Sequence, residues 1–142
     1  MEAYLPACLG CRLANGGEPA EVVYEDEQVT CLLDIAPLHG GHVLILPKAH
    51  ALDLDELEQA ALLAVAGASV RIAKALKAAY APDGITTMSN GGIFNDLGHV
   101  HLHVFPRYEG DEFGWREPSR PRGTELSAPK IRERLAEAIS VL

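Results

Sequence analysis

One long stretch with helical spacing constrains the fold of this chain more than any other feature. From Asp53 to Tyr80, apolar side chains recur every three or four residues, which is the spacing of one face of an α-helix. Asp53 or Asp55 is expected to cap its start, and the turn sequence at 81–84 ends it. About 26 residues at ~1.5 Å each give a helix of roughly 39 Å, long enough to cover one face of a small sheet.

Short segments with strand character surround this helix. They are Val22–Tyr24, Val29–Leu33, 42–47, Ile85–Met88 and His99–Phe105. A final helix is expected over Pro129–Val141. The order of these elements predicts an α+β domain, with a mostly antiparallel five-stranded sheet, one long helix and a C-terminal helix.

Composition and charge limit the class of protein. The 142 residues are 48% hydrophobic, which suffices for one globular domain without disulfides. A formal net charge of −8 disfavours non-specific binding to a nucleic-acid backbone. The amino-terminal residues do not show a basic segment followed by an apolar one, and no stretch reaches about 18 uncharged apolar residues. We therefore expect a soluble, cytoplasmic protein with neither a membrane nor a nucleic-acid partner.

Three of the six histidines alternate with apolar residues in "HVHLHVF", residues 99–105. In a strand, alternate side chains share a face, so His99, His101 and His103 are expected to line one side at ~7 Å intervals. Such a row could be a polar strand face, although Thr, Lys or Glu would serve better there. It could also bind zinc, or supply a neutral imidazole that attacks phosphorus while its neighbours donate to the phosphoryl oxygens.

Cys8 and Cys11 form a C-x-x-C motif. A redox pair would open a helix within a βαβ unit, but turn residues, "LANGGEP", follow this motif. Half of a zinc site is a second interpretation, because two thiolates need only two further ligands for a closed tetrahedron. Two buried cysteines without metal are the third. Cys31, which alternates with apolar residues on a strand, is predicted to be a small core side chain.

The histidine motif fits the His-φ-His-φ-His-φ-φ signature of the histidine triad (HIT) nucleotide hydrolases and transferases, where φ is apolar. Residues 24–50 resemble the amino-terminal half of that family, and residues 103–115 resemble the end of its bacterial members. The similarity covers about residues 8–115. It implies one HIT-like domain over residues 1–142, with its core at 8–115 and a C-terminal extension at 116–142.

The resemblance also implies roles for the histidines. His101 would be the nucleophile that attacks the α-phosphorus of a purine nucleotide and forms a nucleotidyl-histidine intermediate. His103 would donate to the phosphate oxygens, and the carbonyl of His99 would hold the other ring nitrogen of His101. His42 would be the fourth histidine of the active site.

Nucleotide-binding residues follow from the same resemblance. Asp34 and Ile35 would bind the ribose and the base, although Asp34 taken alone is typical of a turn. Asn90 matches an asparagine on the phosphate side, and it is also a common turn residue before glycine. Family members carry Gly-Gln-Ser or Gly-Gln-Thr where this chain has Asn95 and Asp96. Asp96 therefore places an acceptor where a hydroxyl donor is expected.

Zinc, oligomeric state and activity complete what the resemblance implies. Bacterial relatives complete the C-x-x-C zinc site with two histidines, whose positions match His50 and His99, so one structural zinc per chain and a homodimer are expected. The expected activity is cleavage at the α-phosphate of a nucleoside phosphoramidate or a dinucleoside polyphosphate. The alternative is a non-catalytic purine-nucleotide-binding or interaction protein of the same fold, which the departure at Asp96 favours.

Overall fold

The structure is a computed structural model that describes residues 4–142, so the predicted domain start at residue 1 lies outside the described residues. The described residues as far as Asp111 form one compact unit, and Glu112–Leu142 form a second. The elements of the first unit are α1 (Leu9–Ala14), β1 (Val22–Glu25), β2 (Val29–Leu33), β3 (Val43–Pro47), α2 (Gln59–Tyr80), β4 (Gly84–Met88) and β5 (Leu102–Arg107).

Within residues 4–142, five strands form one sheet in the order β1-β2-β3-β5-β4. Every neighbouring pair is antiparallel, and Leu44 of β3 lies opposite His103 of β5. The predicted α+β class and the mostly antiparallel five-stranded sheet are therefore confirmed. The pairing of β3 with β5 brings the residues around His42 next to the histidine-rich segment, although about 60 residues separate them.

The two faces of the sheet have different partners. Residues of one face pack against the stripe of α2 that points inward, and together they form the main core: Val29, Cys31, Val43, Ile45, Val65, Ala68, Ile72, Leu76 and Val104. The alternate residues Leu32 and Leu46 face the other way and cluster with Ala14 of α1. Strand alternation therefore places His103, the neighbour of buried Val104, on the face opposite α2.

The long helix begins later than its apolar spacing predicts. Leu54–Glu56 form a separate 3₁₀ turn, and Glu58, not Asp53 or Asp55, occupies the N-cap position. The Asp53 carboxylate instead accepts a hydrogen bond from the backbone N–H of Gly92, 2.8 Å away. This tertiary contact replaces the predicted cap, so 22 residues are helical and the helix is roughly 33 Å long.

The apolar composition of α2 would by length and hydropathy alone allow it to cross a bilayer. Its inward residues, from Ala61 to Leu76, are nevertheless buried against the sheet. In this structure α2 is therefore the core helix of a sheet-containing domain.

Two local predictions near the histidines and cysteines were wrong. β5 begins at Leu102, so His99 and His101 precede the strand, and the N–H of Val100 donates to the carbonyl of Ala51 at 2.8 Å. The turn predicted at 13–19 begins only at Asn15, because Leu13 and Ala14 belong to α1, a helix of six residues that begins directly after Cys8. The six residues of α1 are too few to leave a periodic signal, and packing against the sheet determines this helix. The alternation in residues 99–105 does not show that its first three residues lie outside the strand.

The second unit contains α3, Ala128–Ser140, which confirms the C-terminal helix to within one residue at each end. Ser127 occupies its N-cap position and a proline lies in its first turn, where a missing N–H breaks no helical hydrogen bond.

Candidate active site and candidate metal site

Three histidine rings lie together on the sheet face opposite α2. The ring centroids of His101 and His103 are 4.9 Å apart, and those of His42 and His103 are 5.2 Å apart. His42 and His101 are each only 3% exposed. The rings of the triad are thus not evenly spaced along one open strand face, because His99 turns towards the cysteines while His101 and His103 join His42.

Backbone contacts fix where the protons of His42 and His103 lie. The N–H of Leu38 donates to Nδ1 of His42 at 3.1 Å, so a neutral His42 carries its proton on Nε2. That Nε2–H donates to Nδ1 of His103 at 2.9 Å, which leaves the His103 proton on Nε2. Burial lowers the pKa of both rings, so both are neutral at pH 7. This relay gives His103 one N–H to offer to a ligand oxygen.

His101 carries its proton on Nδ1, whereas His42 and His103 carry theirs on Nε2. Its Nδ1–H donates to the carbonyl of His99 at 2.8 Å, so the lone pair of a neutral His101 lies on Nε2. The hydroxyl of Ser89 donates to the carbonyl of His101 at 2.9 Å and ties this segment to the end of β4. Nε2 of His101 lies 3.5 Å from Oδ1 of Asp96. The arrangement presents a free nitrogen lone pair beside a donor, which is what nucleophilic attack on phosphorus requires.

Asp34 lies at the edge of this histidine group. Its Oδ2 is 3.5 Å from Nε2 of His42 and 3.9 Å from Nδ1 of His103, while Oδ1 accepts the N–H of Ala36 at 2.9 Å. The neighbouring Ile35 is fully exposed and presents an apolar side chain to solvent. The carboxylate therefore forms a turn, as its residue type predicts, and also faces the histidines.

The polar residues in and near the loop before His99 differ in their contacts and exposure. Asn95 accepts the N–H groups of Leu97 and Gly98, both at 3.1 Å, and its amide donates to the carbonyl of Leu52 at 2.8 Å. The Asn95 side chain thus shapes the loop, and it would have to break these bonds to reach a phosphate. Asp96 is 88% exposed along its side chain, and Asn90 is exposed as well.

A second cluster brings together the four residues predicted to bind zinc: Cys8, Cys11, His50 and His99. Nδ1 of His99 lies 3.6 Å from each of the two sulfur atoms, and Nδ1 of His50 lies 3.4 Å from Sγ of Cys11. A tetrahedral zinc with Zn–S of about 2.3 Å and Zn–N of about 2.05 Å has N···S edges of about 3.6 Å. The three N···S distances therefore match the edges of a zinc tetrahedron, and all four ligand atoms lie within 4.8 Å of one another.

The protonation of the cluster also fits a metal. Nε2–H of His99 donates to the carbonyl of Pro47 at 2.8 Å, which leaves the Nδ1 lone pair directed at the sulfur atoms. Burial lowers the pKa of His99 and raises the pKa of the Cys11 thiol, so zinc would have to displace a thiol proton but not a proton on His99. The third cysteine, Cys31, is buried in the main core, where burial raises its pKa to about 12, and it is a packing residue as predicted.

Gly10 allows the cysteines and His99 to approach one another in the candidate metal cluster. It lies in α1 between the two cysteines, and a Cβ at this position would overlap the Cβ and Cγ atoms of His99. Only a residue without a side chain permits this approach of the helix to the histidine.

His39, which no sequence motif singles out, contacts the carboxylate of Asp111. Its Nε2 is 3.2 Å from Oδ2 of Asp111, and Arg107 donates two hydrogen bonds to the same carboxylate, at 2.6 and 2.8 Å. This group fixes the segment that follows Ile35 to the end of β5. No sequence pattern links residues 39 and 111, so the contact could not be read from the chain.

Comparison with known proteins gives consistent matches. A family model described as "HIT domain" matches residues 15–110. An uncharacterized HIT-like protein of Methanocaldococcus jannaschii is 40% identical over 106 residues, which are 73% of this chain and 81% of that protein. The adenylylsulfatase HINT3 of Arabidopsis thaliana is 33% identical over 106 residues, which are 73% of this chain but only 54% of HINT3.

Solved structures match over nearly the full length. A HIT family protein from Bacillus anthracis has a TM-score of 0.84 at 28% identity, covering 96% of this chain and 98% of that one. A Zn-bound histidine triad family protein from Mycobacterium smegmatis has a TM-score of 0.70 at 34% identity, again covering 96% and 98%.

Proposed function

This chain belongs to the HIT family, and we propose that it is a nucleotidyl hydrolase or transferase that works through a nucleotidyl-His101 intermediate. The proposal rests on one observation: hydrogen bonds to the backbone, direct for His101 and through His42 for His103, place the protons of His101 and His103 on different ring nitrogens. The His99 carbonyl holds Nδ1–H of His101 and leaves its Nε2 lone pair free, while the relay from Leu38 through His42 leaves His103 with an N–H donor.

In the first step, Nε2 of His101 forms a bond to the α-phosphorus as the bond from phosphorus to the leaving nitrogen or oxygen breaks. The electron pair of that bond goes to the leaving group, which takes its proton from solvent. His103 donates its N–H to a phosphoryl oxygen and stabilises the charge that develops there. In the second step, water displaces His101 and releases a nucleoside monophosphate.

The substrate is proposed to be a purine nucleotide. Ile35 offers an exposed apolar surface for a base, and the Asp34 carboxylate can accept ribose hydroxyl protons. The family includes hydrolases, of which HINT3 is named an adenylylsulfatase. Asp96, close to Nε2 of His101, repels a polyphosphate leaving group by roughly 1 kcal/mol at a partly screened distance, so a phosphoramidate is favoured.

Turnover of a fluorogenic adenosine phosphoramidate tests this function. The wild-type protein should release the amine and adenosine monophosphate, whereas His101→Ala should lose at least about a thousandfold in kcat and bind adenosine monophosphate within about tenfold of wild type. Retention of more than about a tenth of the wild-type kcat would exclude His101 as the nucleophile.

A non-catalytic nucleotide-binding protein is the second candidate. One observation favours it: Oδ1 of Asp96 lies in front of the nitrogen that phosphorus must approach. Wild-type protein that binds adenosine monophosphate but turns over neither the phosphoramidate nor a dinucleoside polyphosphate would support this candidate and contradict the enzyme.

One structural zinc per chain is proposed at Cys8, Cys11, His50 and His99. The fit of their distances to a tetrahedron supports it, and so does the likeness to a Zn-bound family member. Zinc here would hold the His99 ring and thereby the carbonyl that tethers His101; it takes no part in the reaction itself.

A homodimer is also proposed, with the exposed face of α2 as its contact. A Cβ on Gly67, in the middle of this helix, would meet no atom of the described residues within 4 Å, and Leu63 and Val70 beside it are more than half exposed. Glycine costs about 1 kcal/mol relative to alanine here, and a closely packed second copy would explain it. Light scattering that gives one chain per particle would contradict the dimer.

A further inference from the structure

Asp96 lies between the buried nucleophile and solvent. Its Oδ1 is 3.5 Å from Nε2 of His101, and the exposed fractions of the two side chains are 88% and 3%. The backbone beneath Asp96 is fixed, because Asn95 accepts from the N–H groups of Leu97 and Gly98 and donates to the carbonyl of Leu52. The loop therefore holds the main chain of Asp96 beside His101, while the exposed carboxylate can turn when phosphorus occupies the space in front of Nε2.

The second step of the proposed reaction needs a proton acceptor. Water must lose a proton as it attacks the nucleotidyl-His101 intermediate. His101 itself cannot accept it, since Nδ1 carries a proton and Nε2 is bonded to phosphorus. His103 presents an N–H to the phosphate, and its Nδ1 accepts from His42. Neither ring therefore has a free lone pair for the water.

The two carboxylates near the rings differ in their freedom to act. Oδ1 of Asp34 is held by the N–H of Ala36, and its Oδ2 lies beside His42 and His103 on the inner side of the group. Asp96 is exposed to solvent, and its Oδ1 is 3.5 Å from Nε2 of His101, the atom whose bond to phosphorus the water has to displace. Of the two carboxylates, Asp96 is therefore better placed to accept a proton from the attacking water.

We propose that Asp96 is the general base of the hydrolytic step, an inference that rests on the proposed function. A carboxylate oxygen of Asp96 takes a proton from water as the water oxygen bonds to phosphorus. The bond between phosphorus and Nε2 breaks, and its electron pair returns to Nε2. The products are a nucleoside monophosphate, neutral His101 and a protonated Asp96, which returns its proton to solvent.

Rapid-quench kinetics of Asp96→Asn with the adenosine phosphoramidate test the proposal. The variant should release about one equivalent of amine per site in a burst, because the first step needs no base at Asp96. Steady-state kcat should then be roughly 10²- to 10⁴-fold below wild type, the range for loss of a general base. Asp55→Asn, which changes another exposed aspartate, is the matched control and should behave as wild type.

Rescue by hydroxylamine gives a second readout. Hydroxylamine attacks phosphorus through a nitrogen lone pair, displaces Nε2 of His101 and then loses a proton to solvent, so it should raise turnover of Asp96→Asn at least about tenfold and yield a nucleotidyl-hydroxylamine, in which nitrogen is bonded to the α-phosphorus. Wild-type turnover should change by no more than about twofold.

The outcomes separate this inference from the function on which it rests. Wild-type protein that forms no histidine adduct overturns both. A wild-type protein that forms the adduct, together with Asp96→Asn that hydrolyses it within about threefold of the wild-type rate, overturns only the role of Asp96. Loss of the burst in Asp96→Asn also overturns that role, since Asp96 would then act in the first step.

Discussion

His99 and His101 are two positions apart, and both donate to a backbone carbonyl, but through different ring nitrogens. His99 donates through Nε2 to Pro47 and directs Nδ1 at two sulfur atoms; His101 donates through Nδ1 to His99 and directs Nε2 at the active site. The residue type is the same in both places. The nitrogen that the backbone holds therefore determines which ring nitrogen keeps a lone pair, and with it the role proposed for each ring: metal ligand for His99 and nucleophile for His101.

The two clusters that contain metal-ligating residue types also differ in which ring nitrogen the backbone holds. The ligand atoms of Asp34, His42 and His103 also lie within 4.8 Å of one another. However, the N–H of Leu38 holds Nδ1 of His42 and places the proton on Nε2, the atom that would face a metal. Nδ1 of His99 carries no such proton. The first group is therefore a hydrogen-bond relay, and the second has the free lone pair that the proposed zinc site needs.

The largest effect is expected from removing the sulfur ligands. Cys8→Ser combined with Cys11→Ser should abolish zinc binding, and for zinc at about a hundred times its Kd the lost stabilisation is about 2.7 kcal/mol. Elemental analysis and thermal melts should give about one zinc per wild-type chain and a melting temperature roughly 5–10 °C lower in the variant. Chelator-treated wild type is the control. Full zinc occupancy in the variant, or no zinc in untreated wild type, would contradict the site.

A smaller effect is expected from a change at Gly10, which should affect both the candidate metal cluster and the histidines of the candidate active site. Gly10→Ala would push α1 against His99 and should cost about 1–3 kcal/mol of stability. Because His99 carries both the metal-facing ring and the carbonyl that tethers His101, zinc affinity and kcat should fall together. Gly114→Ala, where an added Cβ meets no described atom within 4 Å, is the matched control. Gly10→Ala with unchanged zinc affinity and kcat would show that the regions are independent.

The smallest effect is expected in the pH dependence of stability, from the hydrogen-bonded rings of His42 and His103. Burial lowers the pKa of His42 and His103, so the unfolded chain binds more protons than the folded one just below pH 6.5. Their contribution to stability is complete above that pH and is lost as the pH falls towards the folded-state values. Denaturation of wild type and His103→Gln should therefore differ in slope by up to about 1.4 kcal/mol per pH unit between pH 6.5 and 5. Equal slopes would mean that His103 is not held neutral.

The sequence carries much of the fold because its patterns are local. β2 was predicted at Val29–Leu33 and is found there, since alternate residues of this strand pack against α2 on one face and α1 on the other. The family signature also gave the four residues that the metal cluster brings together. Periodic patterns and motifs thus gave the elements and the members of the cluster, but not the first residues of α2 and β5.

The remaining features depend on backbone atoms that leave no mark in the sequence. The carbonyl of Pro47 is 52 positions from His99, and any residue type could supply it. The N–H of Leu38 likewise carries no side-chain signal. The strand start was wrong by three residues for a related reason, because His99 turns off the sheet towards the cysteines. Folding thus assigns different chemistry to residues that look equivalent in the sequence.

The site of attachment on the trapped intermediate tests this account most directly. Wild-type protein is mixed with a labelled adenosine phosphoramidate, quenched in alkaline denaturant, digested, and examined by mass spectrometry and phosphorus NMR. The account predicts one label on His101, attached through Nε2, because the His99 carbonyl holds Nδ1. Attachment through Nδ1, a label on His103, or no histidine label under single-turnover conditions would contradict it.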